Sequence, residues 1–242
     1  MKSEVNNDKW KKNIYPKYWS RASRAYGLDS YCAGLIKLVE SYSPRTVFEL
    51  AIGNGFPFAE AFCARGVKVF GCDISEDLIS ELSKDYPVVT AYVGGYNETL
   101  SGGVYDCVYC FRSSWYFSDI VNAIDFMLNK TASSGVLIFD IMNKDSLENK
   151  RMILKKNMLF PITILKNSLK GILNLKYPGR WMTDQIFGVR DIMYSPKMIE
   201  DYLRENGLQY SCLNAMEIAT LGGGEIDVSS DQKLVFVVSK NG

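Results

Sequence analysis

The chain contains no histidine. That absence removes Ser–His, Cys–His and His–metal arrangements together, so any proton transfer must use Asp, Glu, Tyr, Lys, Cys or water. Long apolar runs are missing too: no stretch approaches the roughly 18 uninterrupted apolar residues that a membrane span requires. Residues 1–12 are polar and charged, so neither a secretory signal nor a transmembrane helix is expected. Cysteines are few, and only Cys107 and Cys110 have C-x-x-C spacing. No second pair and no histidine complete a zinc site around them, and most of the six cysteines sit inside apolar runs. Buried free thiols, no metal and a reducing cytoplasmic compartment are the expectation. There is no internal repeat and no low-complexity segment.

What is present suffices for a folded domain. A length of 242 residues with 47% hydrophobic content can bury one continuous core, so one domain with an elaboration is expected. The net charge is only +1, but it is unevenly placed. Residues 1–24 hold seven Lys or Arg against two acids, and residues 144–190 hold ten against three, for a summed charge of +12. The rest of the chain carries −11. An acidic core thus bears two basic attachments.

Hydrophobic patterning orders the elements. Leu35, Ile36, Leu38 and Val39 give a helical apolar face that ends before Pro44. Thr46–Ile52 is a short β-leaning run that stops at Gly53-Asn54-Gly55, and Phe58–Arg65 then reads as helix. Val67–Cys72 predicts a second strand ending at Asp73, with Ser75 as N-cap of a helix through Lys84. Val88–Val93, Tyr105–Phe111 and Gly135–Ile141 read as further strands, with a helix over Ile120–Leu128. Alternation at this spacing predicts a parallel sheet covered on both faces. Residues 144–190 break the pattern with two basic amphipathic stretches separated by Pro161. In the second, Ile162, Leu165, Leu169, Ile172 and Leu173 share one helical face. Beyond it, Ser195-Pro196 starts a helix through Glu205, closed by Gly207, and two final strands flank Gly222-Gly223-Gly224.

The most informative stretch is Glu49-Leu50-Ala51-Ile52-Gly53-Asn54-Gly55. Glycines let a backbone turn sharply and let a ligand approach it, and the following helix offers free N–H groups. Asp73, at the end of the next strand, is placed to accept hydrogen bonds from both hydroxyls of a ribose. Taken alone the glycine turn is also compatible with a purely structural role; the strand before, helix after and acid at the neighbouring strand end favour nucleotide binding. A dinucleotide fingerprint needs a third glycine, which would fall on Phe58, and there is no G-x-x-x-x-G-K-[ST]. A ligand with ribose but no phosphates fits better than a nicotinamide dinucleotide.

These residues resemble the class I S-adenosylmethionine-dependent methyltransferases. The family's first motif is E/D-x-G-x-G-x-G, matched by Glu49, Ala51, Gly53 and Gly55 with alanine in place of the first glycine. Its second is an acid closing the second strand, matched by Asp73-Ile74-Ser75. The resemblance implies an α/β fold: a doubly wound, Rossmann-like, seven-stranded, mostly parallel sheet with an antiparallel last strand and a helical lid insertion. It divides a single domain into an N-terminal cap (1–43), a cofactor-binding core (44–143), the lid (144–190) and a C-terminal helix and strand pair (191–242). The implied cofactor is S-adenosyl-L-methionine. Gly53 and Gly55 would lie along its methionine half, Asp73 would hold the ribose, and Ile74 would pack on adenine. Tyr18 in the N-terminal arm, Tyr96 and Asn97 after the third strand, and Phe111 and Arg112 after the fourth complete the implied cofactor-binding set. For Phe111, core packing is an equal alternative. After the third strand this chain reads Gly94-Gly95-Tyr96-Asn97, where the family often has Gly-Asp.

The implied reaction is an in-line displacement, in which orientation can contribute on the order of 7–11 kcal/mol and a base is optional. Asp140, Tyr116 and Asp119 are placed near the expected site, and none stands out as that base. The resemblance implies that the N-terminal arm closes over the cofactor and that the insertion after the fifth strand covers the acceptor pocket. The two basic segments are those two pieces, and a +12 cover facing a shared pocket would attract a small anionic acceptor. Arg180, Trp181 and Arg190 are the expected acceptor contacts, with Trp115 and Tyr116 lining the pocket or filling core. The same basic helix also suits an anionic membrane face or a partner groove. For nucleic acid there is neither a zinc module nor an aromatic-basic ribonucleoprotein motif.

Overall fold

A computed structural model describes residues 28–96, 103–155, 158, 192–224 and 231–240. Tyr18, Asn97, Arg180, Trp181 and Arg190 lie outside the described residues, as do most of segment 144–190 and of the N-terminal arm.

Helix α1 (Ser30–Glu40) starts where the Asp29 side chain accepts from Cys32 N, and turns its apolar face inward. It leads into β1 (Thr46–Leu50), α2 (Phe58–Ala64), β2 (Lys68–Asp73), α3 (Glu76–Asp85) and β3 (Thr90–Val93). Ser75 caps α3 as its position suggests, accepting from Leu78 N at 3.3 Å. The second half holds β4 (Tyr105–Cys110), α4 (Ile120–Lys130), β5 (Thr131–Met142), α5 (Pro196–Glu205), β6 (Gln209–Asn214), α6 (Ala215–Leu221) and β7 (Lys233–Ser239).

The seven strands form one sheet in the order β3-β2-β1-β4-β5-β7-β6. Pairings from β3 to β5 are parallel, and β7 runs antiparallel to both its neighbours. This is the doubly wound, mostly parallel sheet with an antiparallel last strand that the patterning and the resemblance lead one to expect. The strands are apolar on both faces because both are covered. Val47, Cys107, Tyr109, Ile138 and Val235 meet α1, α2, α3 and α6 on one side. Phe48, Val108, Cys110, Phe139 and Phe236 meet α4 and α5 on the other. All six cysteines are free, and four of them are buried. No helix among the described residues is long and apolar enough to cross a membrane.

Three features depart from the patterning. The final strands do not simply flank the triple glycine, because α6 lies between β6 and that turn. It has a capping box: Asn214 accepts from Met216 N and Glu217 N, while the Glu217 carboxylate accepts from Asn214 N. It packs so closely on α1 that a Cβ at Gly34 would stand 1.8 Å from the Ile218 carbonyl oxygen. Strand β3 begins at Thr90, not Val88, since Pro87 and Val88 form a turn closed by Val89 N donating to Tyr86 O. Strand β5 begins at Thr131, four residues before Gly135, and reaches its β4 register through an irregularity between Tyr105 and Cys107.

Candidate functional site at the carboxyl edge of the sheet

The turn after β1 is built from left-handed residues: Ala51 (φ 65°), Gly53 (φ 58°) and Gly55 (φ 83°). Alanine at the first of these keeps the glycine-type conformation and bears strain of roughly 1–2 kcal/mol for it. At Gly55 the missing side chain serves packing, since a Cβ would lie 2.4 Å from Leu82 Cδ1 and 3.2 Å from Tyr86 Cδ2.

Asp73 ties this turn to the end of β2. Its Oδ2 accepts from Gly53 N at 3.0 Å and its Oδ1 from Ser75 N at 2.8 Å. Each oxygen keeps a lone pair for a further donor, which is the capacity a vicinal diol needs. Burial pushes the Asp73 carboxyl up to about 6 against the opposing pull of those two N–H groups. Glu49, on β1, is buried and accepts from the Tyr109 hydroxyl at 3.0 Å. Burial holds its carboxyl well above the usual range, only partly offset by that hydrogen bond.

The loops after β2, β3 and β4 converge beside Asp73. Gly94 N donates to Asp73 O, and Ile74 Cγ2 lies 3.1 Å from where a Gly95 Cβ would stand. The Tyr96 ring meets Phe117 edge-on at 5.0 Å, and its hydroxyl accepts from Asp119 N and pairs with Ser118 Oγ at 3.3 Å. Phe111 is buried between Phe58 and Tyr109, with ring centroids at 5.1 and 4.8 Å. Arg112, another non-glycine residue with positive φ (57°), directs its guanidinium toward α1, 3.2 Å from Cys32 Sγ and 3.9 Å from Asp29 Oδ2. Two strained residues at adjacent strand ends are the kind of clustering seen at binding sites.

The three candidate bases have distinct surroundings. Asp119 is the N-cap of α4, accepting from Asn122 N. Asp140 is fully buried at the end of β5, and its two oxygens accept from Arg112 N (2.8 Å) and the Tyr31 hydroxyl (3.1 Å). Burial raises its carboxyl, against the pull of Lys233 and of those two donors. Tyr116 is half-buried in a 3₁₀ turn (Ser114–Tyr116), its ring 6.0 Å from that of Trp115. In the same turn Ser114 Oγ is buried with no hydrogen-bond partner among the described residues.

Two residues here have no motif to announce them. Tyr31 brings α1 onto Asp140, and the Lys233 ammonium lies 4.9 Å from the Tyr31 ring and 5.6 Å from the Trp115 ring. Their sequence neighbours are ordinary helix and strand, and only the fold unites them. Among the described residues no cluster of His, Cys, Asp or Glu could hold a metal ion.

A doubly wound sheet with a glycine turn, an acid at the next strand end and an inserted antiparallel last strand is the architecture of S-adenosylmethionine-dependent methyltransferases, and solved members of that class superpose on this chain. The plantazolicin methyltransferase BpumL, solved with S-adenosylhomocysteine, aligns with TM-score 0.64 at 11% identity, covering 98% of this chain and 94% of its own. A TehB-like methyltransferase from Corynebacterium glutamicum aligns with TM-score 0.60 at 16% identity (94% and 96% covered). Magnesium protoporphyrin IX methyltransferase from Synechocystis, also with bound S-adenosylhomocysteine, aligns with TM-score 0.54 at 15% identity (98% and 99% covered). At these identities the likeness is one of fold. No family model and no curated protein sequence matches the chain.

Proposed function

We propose that this protein is an S-adenosylmethionine-dependent methyltransferase whose acceptor is an oxygen or nitrogen atom of a small anionic metabolite. The observation that carries the cofactor reading is Asp73, fixed by Gly53 N and Ser75 N with acceptor capacity left on both oxygens. A ribose diol would donate to those oxygens, Ile74 and Tyr96 would flank the adenine, and the backbone from Ala51 to Gly55 would lie along the methionine part. The Ser114 hydroxyl, without a partner among the described residues, is a further group that a polar ligand would satisfy. When bound, S-adenosylmethionine supplies an activated methyl on a sulfonium. The acceptor's lone pair would form the new bond as the carbon–sulfur bond breaks, with the sulfur keeping the electron pair and the acceptor's proton leaving to water.

Solved structures of this fold are named for methylation of plantazolicin and of magnesium protoporphyrin IX, so the fold alone leaves the acceptor open. The anionic reading rests on the charge split, with +12 on segments 1–24 and 144–190 beside an acidic core. The cap and lid roles of those segments, and acceptor contacts from Trp115, Tyr116, Arg180, Trp181 and Arg190, belong to this proposal. Calorimetry tests the cofactor: binding of S-adenosylmethionine or S-adenosylhomocysteine in the micromolar range with no response to NAD is the expected result. A metabolite-pool screen with labelled methyl donor tests the acceptor. Label entering RNA, protein or lipid alone would overturn the small-acceptor reading.

A further inference from the structure

The ammonium of Lys233 is held at the carboxyl edge of the sheet between two aromatic faces, and the reading above gives it no role. Lys233 opens β7 opposite Met142, the last residue of β5, and strand alternation puts its side chain on the same face as Val235 and Val237, toward α1. There the nitrogen stands 4.9 Å from the Tyr31 ring and 5.6 Å from the Trp115 ring. Both rings are positioned by other contacts. The Tyr31 hydroxyl is tied to Asp140, and Trp115 sits in the turn after β4, where its carbonyl accepts from Ile192 N at 2.8 Å. Among the described residues, no carboxylate lies within ion-pair distance of Lys233 and no acceptor takes a hydrogen bond from its ammonium. Lys233 is half-buried, and its ammonium, set between the ring faces and within the field of Asp140, keeps three N–H donors for an incoming oxyanion.

We infer that Lys233 is a specificity-determining residue that binds the oxyanion, carboxylate or phosphate, of the methyl acceptor. This deepens the methyltransferase reading and rests on it for the identity of the ligand as acceptor. The sheet order sets the scale. β1, which carries the cofactor turn, and β7 are three strand spacings apart, roughly 14 Å. The lysine side chain carries its ammonium back from β7 to within 5.6 Å of the Trp115 ring, in the turn after β4, so the acceptor's acidic group would stand closer to the cofactor turn than the strand spacing alone implies.

Benzoate, phenyl phosphate and neutral benzamide serve as probes, titrated by calorimetry into the full chain with and without S-adenosylhomocysteine. Wild type is expected to bind at least one of the two anions tenfold or more tightly than benzamide, and which one it prefers separates carboxylate from phosphate. Lys233→Met and Lys233→Gln are expected to lose that preference, and Lys233→Arg to retain it. S-adenosylhomocysteine affinity should stay within twofold in all of them. Wild type without a preference for either anion, or a Met or Gln variant that keeps it, would overturn the inference. A role for Lys233 confined to stacking and to balancing Asp140 would move the melting temperature and leave the anion preference intact. Failure to bind S-adenosylhomocysteine defeats the cofactor reading separately, and the cofactor-free titrations still decide the role of Lys233.

Discussion

Asp73 should make cofactor affinity and folding stability respond to pH in opposite directions. Its folded carboxyl titrates at about 6, against 3.8 for an unperturbed one, because burial outweighs the two backbone N–H donors. A raised carboxylate value means that the folded state holds the proton more tightly. The charged form then costs stability above about pH 6, and the cost is relieved as pH falls through that value toward 3.8. Two units correspond to about 3 kcal/mol at full ionisation. Cofactor binding has the other sign, since hydroxyls donate best to the ionised group. Protonation at pH 5 should weaken S-adenosylhomocysteine by about tenfold relative to pH 7. Asp73→Asn should weaken binding at pH 7 by about 2–4 kcal/mol and flatten the profile, because the charge-assisted bonds and the titration vanish together. Calorimetric titrations between pH 5 and 8, paired with urea denaturation over the same range, measure both slopes. Equal affinities at pH 5 and 7 in the wild type, or an unchanged slope in Asp73→Asn, would refute the assignment.

Two further substitutions test the backbone. Ala51→Gly should be neutral or stabilising by up to about 1 kcal/mol, since relief at φ 65° competes with glycine's unfolded-state entropy, whereas Ala51→Val should cost more than about 2 kcal/mol; denaturant midpoints decide, and equal values for the two would remove strain from the account. Gly34→Ala should destabilise by roughly 2–3 kcal/mol, because its Cβ would meet the Ile218 carbonyl oxygen and the two helices would have to separate; a loss under about 0.5 kcal/mol would show that the contact yields easily.

The sheet was legible because its strands are apolar on both faces and bounded by glycine, proline or acids at nearly every change of direction. The glycine turn and the acid that clasps it were legible for a related reason: Gly53, Gly55 and Asp73 act through local backbone geometry that leaves a mark in sequence. Ala51 shows how far this extends, since it lacks the glycine yet keeps the glycine's conformation. Helix α6 was missed because seven residues give too short a period to read, although Asn214 and Glu217 at capping-box spacing signalled its start. Tyr31, Asp140 and Lys233 were not legible as a group. They come from a helix face and two strand ends, and only the order β5-β7 with α1 above it unites them.

The placement of β7 between β5 and β6 bears on how the molecule comes into being. Strand β6 is made before β7 but has no other neighbour in the sheet among the described residues, so it waits for that pairing until residues 233–239 emerge. Until then the edge of β5, with Leu137, Ile138, Phe139 and Ile141, presents open hydrogen-bonding groups and apolar side chains to whatever is nearby. The sheet therefore closes by inserting its final strand into a gap, a non-local step that is slow by nature and leaves the half-made chain open to edge-to-edge association. Lys233 arrives with that strand, so the nascent protein can form its glycine turn and Asp73 clasp well before it owns a complete carboxyl edge.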